Sequence, residues 1–570
     1  MADSTFYAEV THWSWPFEIR RGWLTAAVLA VVLPSGAMAQ TSSAPVEATF
    51  PDTTSTRSIT SADALASAAP ETQAGLPVPP LQIGGYLDLA VGYSTNAQGG
   101  PSGTSSNDSF MRGTVGGYLQ YIKPRLSANL AYSLTGVYWA KFHRQNHLSN
   151  RLNLTSHFVA IPDMLVVKAN AYAAPADLTR AGAVSASGEP ISQFNTRDTY
   201  GYFVQPDFML RFKDYLISTL SAGHGGVFFV RPGTTDTTLP PPPITPARDA
   251  YSTILTEEVG SGTYFERLHF SVIGSYAQFS QMVRSQRTEE VAANLSYAVT
   301  RYLKVFGIGG YDDFKSTQTL ARDLSGPTGL GGVTFGEGPE FTATVEAGTQ
   351  HNMPTYMGSV RWIITPLTQF IAEATDTINT PQGDILANLA RQGVTNFGNF
   401  SSSGLYGFGS NNIDSGMGVG PISGFSPIGS NGLALDNGIY RLRALQANLS
   451  HKADRTTITL GAFADERDRL DVTPGSVLPR TSIYGLRASA SHQLNQYLTA
   501  TATTSYSIAN EFGGHDRVFY ISVMGNYRLT EHIDLYLTNH YSHRESKSLV
   551  GFVNAPVSED QIILGLRAHI

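Results

Sequence analysis

S-E-D-Q-I-I-L-G-L-R-A-H-I, Ser558 to Ile570, is the stretch on which the fold turns. Read with period two, Ile562, Leu564, Leu566, Ala568 and Ile570 fall on one face. Gln561, Gly565, Arg567 and His569 fall on the other, with Ile563 the one misfit. Side chains alternate along a strand, so this is a strand with one apolar and one largely polar face. An apolar strand left as an unpaired edge is a liability in water. Pairing with the first strand of the chain removes that edge and closes a barrel, which is how a sheet survives in lipid. The expected fold is all-β: a transmembrane antiparallel β-barrel closed by this strand.

The rest of the chain agrees. Hydrophobic residues make up 42% but charged residues only 15%, against ~25% charged in ordinary soluble domains. No run after residue 40 approaches the ~18 apolar residues of a membrane helix. Many short alternating segments, 55 Gly, 28 Phe and 27 Tyr suit strands with a lipid-facing side. The absence of cysteine excludes disulfides, Cys-ligated metals and Cys nucleophiles. A net charge of -7 with no basic run argues against a nucleic-acid partner.

Residues 1–39 read as a secretory signal peptide: Arg20 and Arg21, an apolar core from Trp23 to Leu33, and an A-x-A site at Ala37-Met38-Ala39. That core is too short to span a bilayer. Residues 40–80, rich in Ser, Thr, Ala and Pro, read as a disordered periplasmic linker. They show no plug-domain pattern, which weighs against a TonB-dependent receptor.

Residues 81–570 read as the barrel. In the first segment Ile83, Leu87, Leu89, Val91 and Tyr93 share one face, opposite Gln82, Tyr86, Asp88 and Ala90. Tight turns are expected at Lys123-Pro124-Arg125, Ile161-Pro162-Asp163, Lys213-Asp214, Thr300-Arg301, Thr365-Pro366, Ala453-Asp454, Leu494-Asn495 and Thr530-Glu531. Long polar or Gly-rich connections fall at 96–109, 175–196, 231–250, 379–437, 469–481 and 546–557. With the first strand starting in the periplasm, nearly every tight turn lands on the periplasmic side and every long connection outside, the asymmetry of outer-membrane barrels of Gram-negative bacteria. The count is about 22 strands, in a range of roughly 18 to 26. The weakest spans are 251–262 and 328–336. Pro240 to Pro243 should stiffen one outer loop. The longest loop, 379–437, carries F-G-N-F-S-S-S-G-L-Y-G-F-G-S-N-N, which suits a segment folding over or into the pore or a glycan-contacting surface, but because long loops vary freely a plain surface loop with no specific role is the favoured reading.

No catalytic, cofactor or metal constellation stands out, and the expectation is a protein that is not an enzyme. His143, His147 and His224 are scattered, and the Gly-rich runs at 329–337 and 404–420 precede no helix that could hold a phosphate. Asp465-Glu466-Arg467-Asp468 reads as a solvated rim, with a divalent-ion site as the alternative.

The lumen is more informative. Alternation puts Arg125, Arg211, Arg267, Lys304, Arg361, Arg528 and Arg567 on the polar face, all in the periplasmic half. Such a basic belt would favour anionic solutes. Alternatively these residues pair with lumenal acids such as Asp88, Glu290 and Glu373. Arg441 and Arg443 share parity with Leu445 and Leu449, so placing them inside would need a bulge. Tyr118, Tyr121, Tyr132, Tyr138, Phe208, Phe212, Tyr297, Tyr302, Tyr527 and Tyr541 lie near strand ends, as interfacial anchors do.

Several stretches resemble the porin-like outer-membrane β-barrel proteins associated with PEP-CTERM and exopolysaccharide gene clusters. They are V-G-S-G-T-Y-F-E-R-L-H-F at 259–270, G-I-G-G-Y-D-D at 307–313, T-A-T-V-E-A-G-T-Q at 342–350, and D-L-Y-L-T-N-H-Y-S-H-R-E-S at 534–546 followed by the closing Q-I-I-L-G-L-R-A-H-I. The resemblance implies export of extracellular polysaccharide, periplasmic export components as partners, and recognition by the barrel-assembly machinery through 558–570. One departure is the final residue, Ile570, where the assembly signal normally ends in an aromatic. A passage for a hydrophilic solute is therefore expected, exopolysaccharide first. A passive anion-preferring porin and a receptor or adhesin acting through 379–437 are the alternatives.

Overall fold

A computed structural model describes residues 80–97, 106–177, 196–230, 248–281, 284–320, 322–336, 340–380, five positions within 382–389, 438–471, 480–511, 514–547 and 556–569. The signal segment, linker residues 40–79, the Pro240–Pro243 run, the aromatic-Gly text of the longest loop and Ile570 lie outside these residues.

The strands, in chain order, are β1 (Leu81–Ser94), β2 (Asp108–Lys123), β3 (Leu126–Trp139), β4 (His147–Ile161), β5 (Leu165–Asp177), β6 (Thr196–Phe212) and β7 (Leu216–Val230). Next come β8 (Ala250–Ser261), β9 (Leu268–Gln281), β10 (Arg284–Thr300), β11 (Leu303–Ser316), β12 (Gly326–Phe335), β13 (Phe341–Gln350), β14 (Met353–Thr365) and β15 (Thr368–Asn379). The last are β16 (Tyr440–Lys452), β17 (Thr456–Arg469), β18 (Thr481–Gln493), β19 (Leu498–Glu511), β20 (Gly514–Arg528), β21 (Ile533–Lys547) and β22 (Val557–His569). They form one 22-stranded antiparallel sheet in which each strand pairs with the next and β22 returns to β1. The closing register runs from Tyr86 opposite His569 to Ser94 opposite Gln561. The expected barrel is present, and both weak spans are strands, β8 and β12.

The two ends of the barrel differ as expected. Periplasmic connections are short, the longest spanning residues 262–267, while the long ones all lie at the other end. Three outer connections are also tight, between β9 and β10, β13 and β14, and β19 and β20. At the second, His351 and Asn352 have φ of 52° and 55°, two consecutive left-handed residues of the kind a two-residue hairpin needs.

Alternation sorts the wall into two faces. On β1, Ile83, Leu87, Leu89 and Val91 are exposed on the outside, while Tyr86, Asp88 and Ala90 are buried on the inside. Exposed Leu, Val and Ile continue round the exterior, for example Leu134, Leu220, Val272, Leu295, Leu460 and Leu486. This apolar belt ends on the periplasmic side in aromatic rings, with Phe341 6.0 Å from Phe335 and 6.2 Å from Trp362, and Tyr497 6.3 Å from Tyr527. Tyr118 is no interfacial anchor: it faces inward and its ring lies over Gly84 of the neighbouring strand.

Two sequence puzzles resolve on these faces. Ile563 points inward and packs in a buried cluster with Ala90, Phe110, Trp139 and Tyr536. Arg441 and Arg443 need no bulge, since β16 keeps an unbroken register with both neighbours. They face outward at the extracellular rim, opposite Asp468 and Glu466, above the apolar belt rather than within it.

Candidate functional site

The site is the inner wall, and two regions of it are built differently. The first is the seam where β1 meets β22. Asp88, only 2% exposed, accepts from Arg567 Nη2 at 2.9 Å and Nε at 3.1 Å, and from the Tyr536 hydroxyl at 2.7 Å. Arg112 donates to that same hydroxyl at 2.9 Å. The Arg567 guanidinium lies over the rings of Tyr86 and Tyr536, 5.8 and 5.5 Å from their centroids. Tyr536 can lie flat because its cross-strand partner is Gly565, where a Cβ would come within 2.2 Å of the ring. Nearer the extracellular end, Ser94 Oγ and Gln561 Nε2 donate to the buried Glu559 carboxylate at 2.7 and 2.5 Å. A buried charge is tolerated only when paired and hydrogen-bonded, and the carboxylate at the seam's centre is both.

The second region is a socket on β5, β6 and β7. Beyond the extracellular end of β15 the chain turns inward and becomes helical: Gln382, Gly383, Ile385, Leu386 and Leu389 carry helical geometry. The Thr380 hydroxyl accepts from the Gly383 N–H at 3.0 Å, an N-cap that satisfies a first-turn donor. Ile385, Leu386 and Leu389 are buried against Tyr172, Phe203 and Val227, inward-facing residues of strands that are not β15's neighbours in the sheet. Asn170 Nδ2 donates to the Leu389 carbonyl at 2.6 Å. The start of loop 379–437 therefore folds into the barrel. Below the socket, the buried pair Lys168–Asp207 closes at 2.8 Å.

At the extracellular mouth a third contact narrows the opening. The β11–β12 connection pairs Leu320 with Asp471, and Leu324 is buried with Phe314, Met353, Ile439 and Leu470.

The seven basic positions separate. Arg125 lies in the β2–β3 turn and Arg267 in the β8–β9 connection, both exposed and off the strands. Their carbonyls accept from the Val159 and Ala298 N–H groups, each at 2.8 Å. Arg211, Lys304, Arg361 and Arg528 stand on the inner face near the periplasmic ends of β6, β11, β14 and β20. Arg567 is buried in the seam with Asp88. The run Asp465 to Asp468 also divides, because a strand alternates. Asp465 and Arg467 are buried inside, whereas Glu466 and Asp468 face outward with Arg443 and Arg480. Four residues split between two faces cannot converge on one ion.

Sequence reasoning missed the lumenal helix. Its signal was Thr380 followed by Pro381, a capping residue before a proline favoured at the first helical position, with Ile385, Leu386 and Leu389 at helical spacing beyond.

A closed antiparallel barrel with an apolar exterior, an aromatic periplasmic girdle and a polar inner wall is an outer-membrane β-barrel of the Gram-negative type. No protein-family model and no curated protein matches the chain. Among solved structures it is similar to that of the FpvAI–pyocin S2 complex, at 10% identity and a TM-score of 0.45, covering 87% of this chain and 71% of that one. The FrpB iron transporter of Neisseria meningitidis gives 7% identity and a TM-score of 0.44 over 85% of this chain and 81% of that one. The siderophore receptor PirA of Pseudomonas aeruginosa gives 9% and 0.36 over 87% and 81%. Likenesses at this level say nothing about what either barrel carries.

Proposed function

We propose that the barrel is a passage for a hydrophilic solute across the outer membrane, and that the solute is an extracellular polysaccharide. The supporting observation is the inner wall. It presents hydroxyl and amide groups in cross-strand rows, such as Thr114 with Thr135 at 3.0 Å and Thr334 with Thr344 at 3.1 Å. Arg487 donates to Asn448 on the same face at 2.6 Å. A 22-stranded barrel is too wide for its wall side chains to fill, so passage depends on what is folded inside it. A polyhydroxylated chain matches a wall where hydroxyl and amide groups stand among buried charged ones and all offer hydrogen bonds, and the resemblance to exopolysaccharide-associated barrels supports the same solute. Periplasmic export components, and the assembly machinery acting on β22, would be its partners.

A second reading, an anion-preferring pore, rests on Arg211, Lys304, Arg361 and Arg528 near the periplasmic mouth. Single-channel recording of the refolded protein in planar bilayers separates the two. A polysaccharide passage should give currents blocked by added polysaccharide with little ion selectivity. A reversal potential strongly favouring anions supports the second reading, and no current from folded barrel overturns both.

A further inference from the structure

The socket on β5–β7 owes its shape to two glycines. A Cβ at Gly201 would stand 2.8 Å from Leu389 Cδ1, and one at Gly225, already crowded by the Tyr202 carbonyl at 2.6 Å and the Phe203 ring at 2.7 Å, would stand 3.0 Å from Leu386 Cδ2. Both positions face the lumen, in register with Tyr172 and Phe203. The wall has thus been lowered where the helix arrives, and Phe203 and Val227 close the depression around it. Through the socket itself the strands pair without a break, Tyr172 with Gly201, Gly201 with Val227 and Phe203 with Gly225. Packing of Ile385, Leu386 and Leu389 and the Asn170 hydrogen bond seat the described helix residues.

We propose that the helical residues Gln382, Gly383, Ile385, Leu386 and Leu389 form a latch that sets the bore. Seated against Gly201 and Gly225, the helix narrows the passage; released, it leaves the lumen wider, with the wall unchanged. This inference rests on the reading of the barrel as a passage. The described contacts with the wall are three apolar side chains and the Asn170 bond to the Leu389 carbonyl, and in a water-facing lumen such packing can be exchanged for a passing chain.

The absence of native cysteine gives a direct test. In the full-length mature protein, Gly201→Cys with Leu389→Cys replaces the two closest groups by a pair able to form a disulfide, and removal of the leucine makes room for it. The bond should form under mild oxidation, and single-channel conductance should be low when oxidised and rise several-fold on reduction. Gly201→Phe, in barrels that keep their heat-modifiable mobility on gels, should unseat the helix and conduct at the higher level throughout. Failure of the disulfide to form would overturn the latch, as would equal conductance before and after reduction with the bond verified by mass spectrometry; the passage reading survives either result. If no variant conducts at all, the passage reading falls instead. Docking is then still read by Leu389→Cys, whose labelling by a water-soluble maleimide should accelerate when Gly201→Phe is added. Unchanged labelling would overturn docking as well.

Discussion

At the seam, Asp88 collects Arg567 and Tyr536, with Arg112 bonded to that tyrosine in turn; at the socket, Leu386 and Leu389 meet Phe203 and Val227 with one described hydrogen bond, from Asn170. Both regions lie on the inner wall and both are buried. They differ in what separation would cost. Pulling the seam apart strands a carboxylate and two guanidiniums in a buried site, an expense of several kcal/mol per ion. Lifting the helix exposes three apolar side chains, each contributing about 2 kcal/mol when buried, or roughly 6 in all. Against that stands the ordering of its roughly eight residues, at about 1 kcal/mol each for the backbone. The socket therefore sits near balance and the seam does not. In the passage proposed above, this division would hold the wall closed while leaving the lumen adjustable.

The largest expected effect tests the seam. Asp88→Ala removes the shared acceptor and leaves Arg567 buried without its principal counter-charge, which should cost about 3–5 kcal/mol of barrel stability. The measurement is the urea midpoint of folded protein in detergent, read by loss of heat-modifiable mobility. Asp88→Ala together with Arg567→Met, which removes charge and partner alike, should recover most of that loss. If it recovers none, the network does not act as a unit.

Next is the socket. Leu389→Ala should weaken docking by about 2–5 kcal/mol, the usual range for a buried leucine, while leaving the urea midpoint of the barrel almost unmoved. Hydrogen exchange separates the two: amides of 382–389 should exchange faster while those of β5–β7 keep their protection. A fall in the midpoint comparable with that of Asp88→Ala would mean that helix and wall unfold together, erasing the contrast.

A smaller effect links the regions through glycine. Gly565→Ala forces a Cβ against the Tyr536 ring, where the closest ring atom stands 2.2 Å away, and the tyrosine must tilt off Asp88. Overpacking of this kind costs about 1–3 kcal/mol. Adding Tyr536→Phe should reduce the increment, since the hydroxyl bond is then already absent; strict additivity would show that the ring does not transmit the strain.

The barrel was legible because alternation is a strong signal wherever one side of a strand meets lipid, and the Ile562–Leu566 pattern fixed both the closing strand and its faces. The asymmetry of the connections was legible for the same reason, since turns are short where nothing else is built. Alternation also carried the truth about Arg441 and Arg443: their shared parity with Leu445 and Leu449 is real, and only height along the strand separates charge from lipid. The two internal regions were hidden. Ile563 breaks the pattern because the inner wall has apolar clusters of its own, and Gly201 and Gly225 look like ordinary barrel glycines until a helix from another part of the chain is set against them. Period-two reading assigns faces; it cannot say what comes to rest on them.

The smallest expected effect is the sharpest test of why the seam matters. Arg443 Nη2 lies 2.5 Å from Asp468 Oδ2 at the extracellular rim, closer than Arg567 lies to Asp88 at 2.9 Å. If distance decided the strength of an ion pair, Arg443→Ala would be the costlier change. The rim pair, however, leaves its side chains 32% and 33% exposed, against 11% and 3% at the seam. Water and salt already solvate it, and Asp468 keeps Arg480 at 2.8 Å when Arg443 is removed. Arg443→Ala should therefore shift stability by less than about 1 kcal/mol, and the shift should shrink further in high salt. Asp88→Ala should be nearly indifferent to salt, because its partners are shielded from it. A rim substitution as damaging as the seam substitution, or a seam effect that salt removes, would show that burial is not what distinguishes the two.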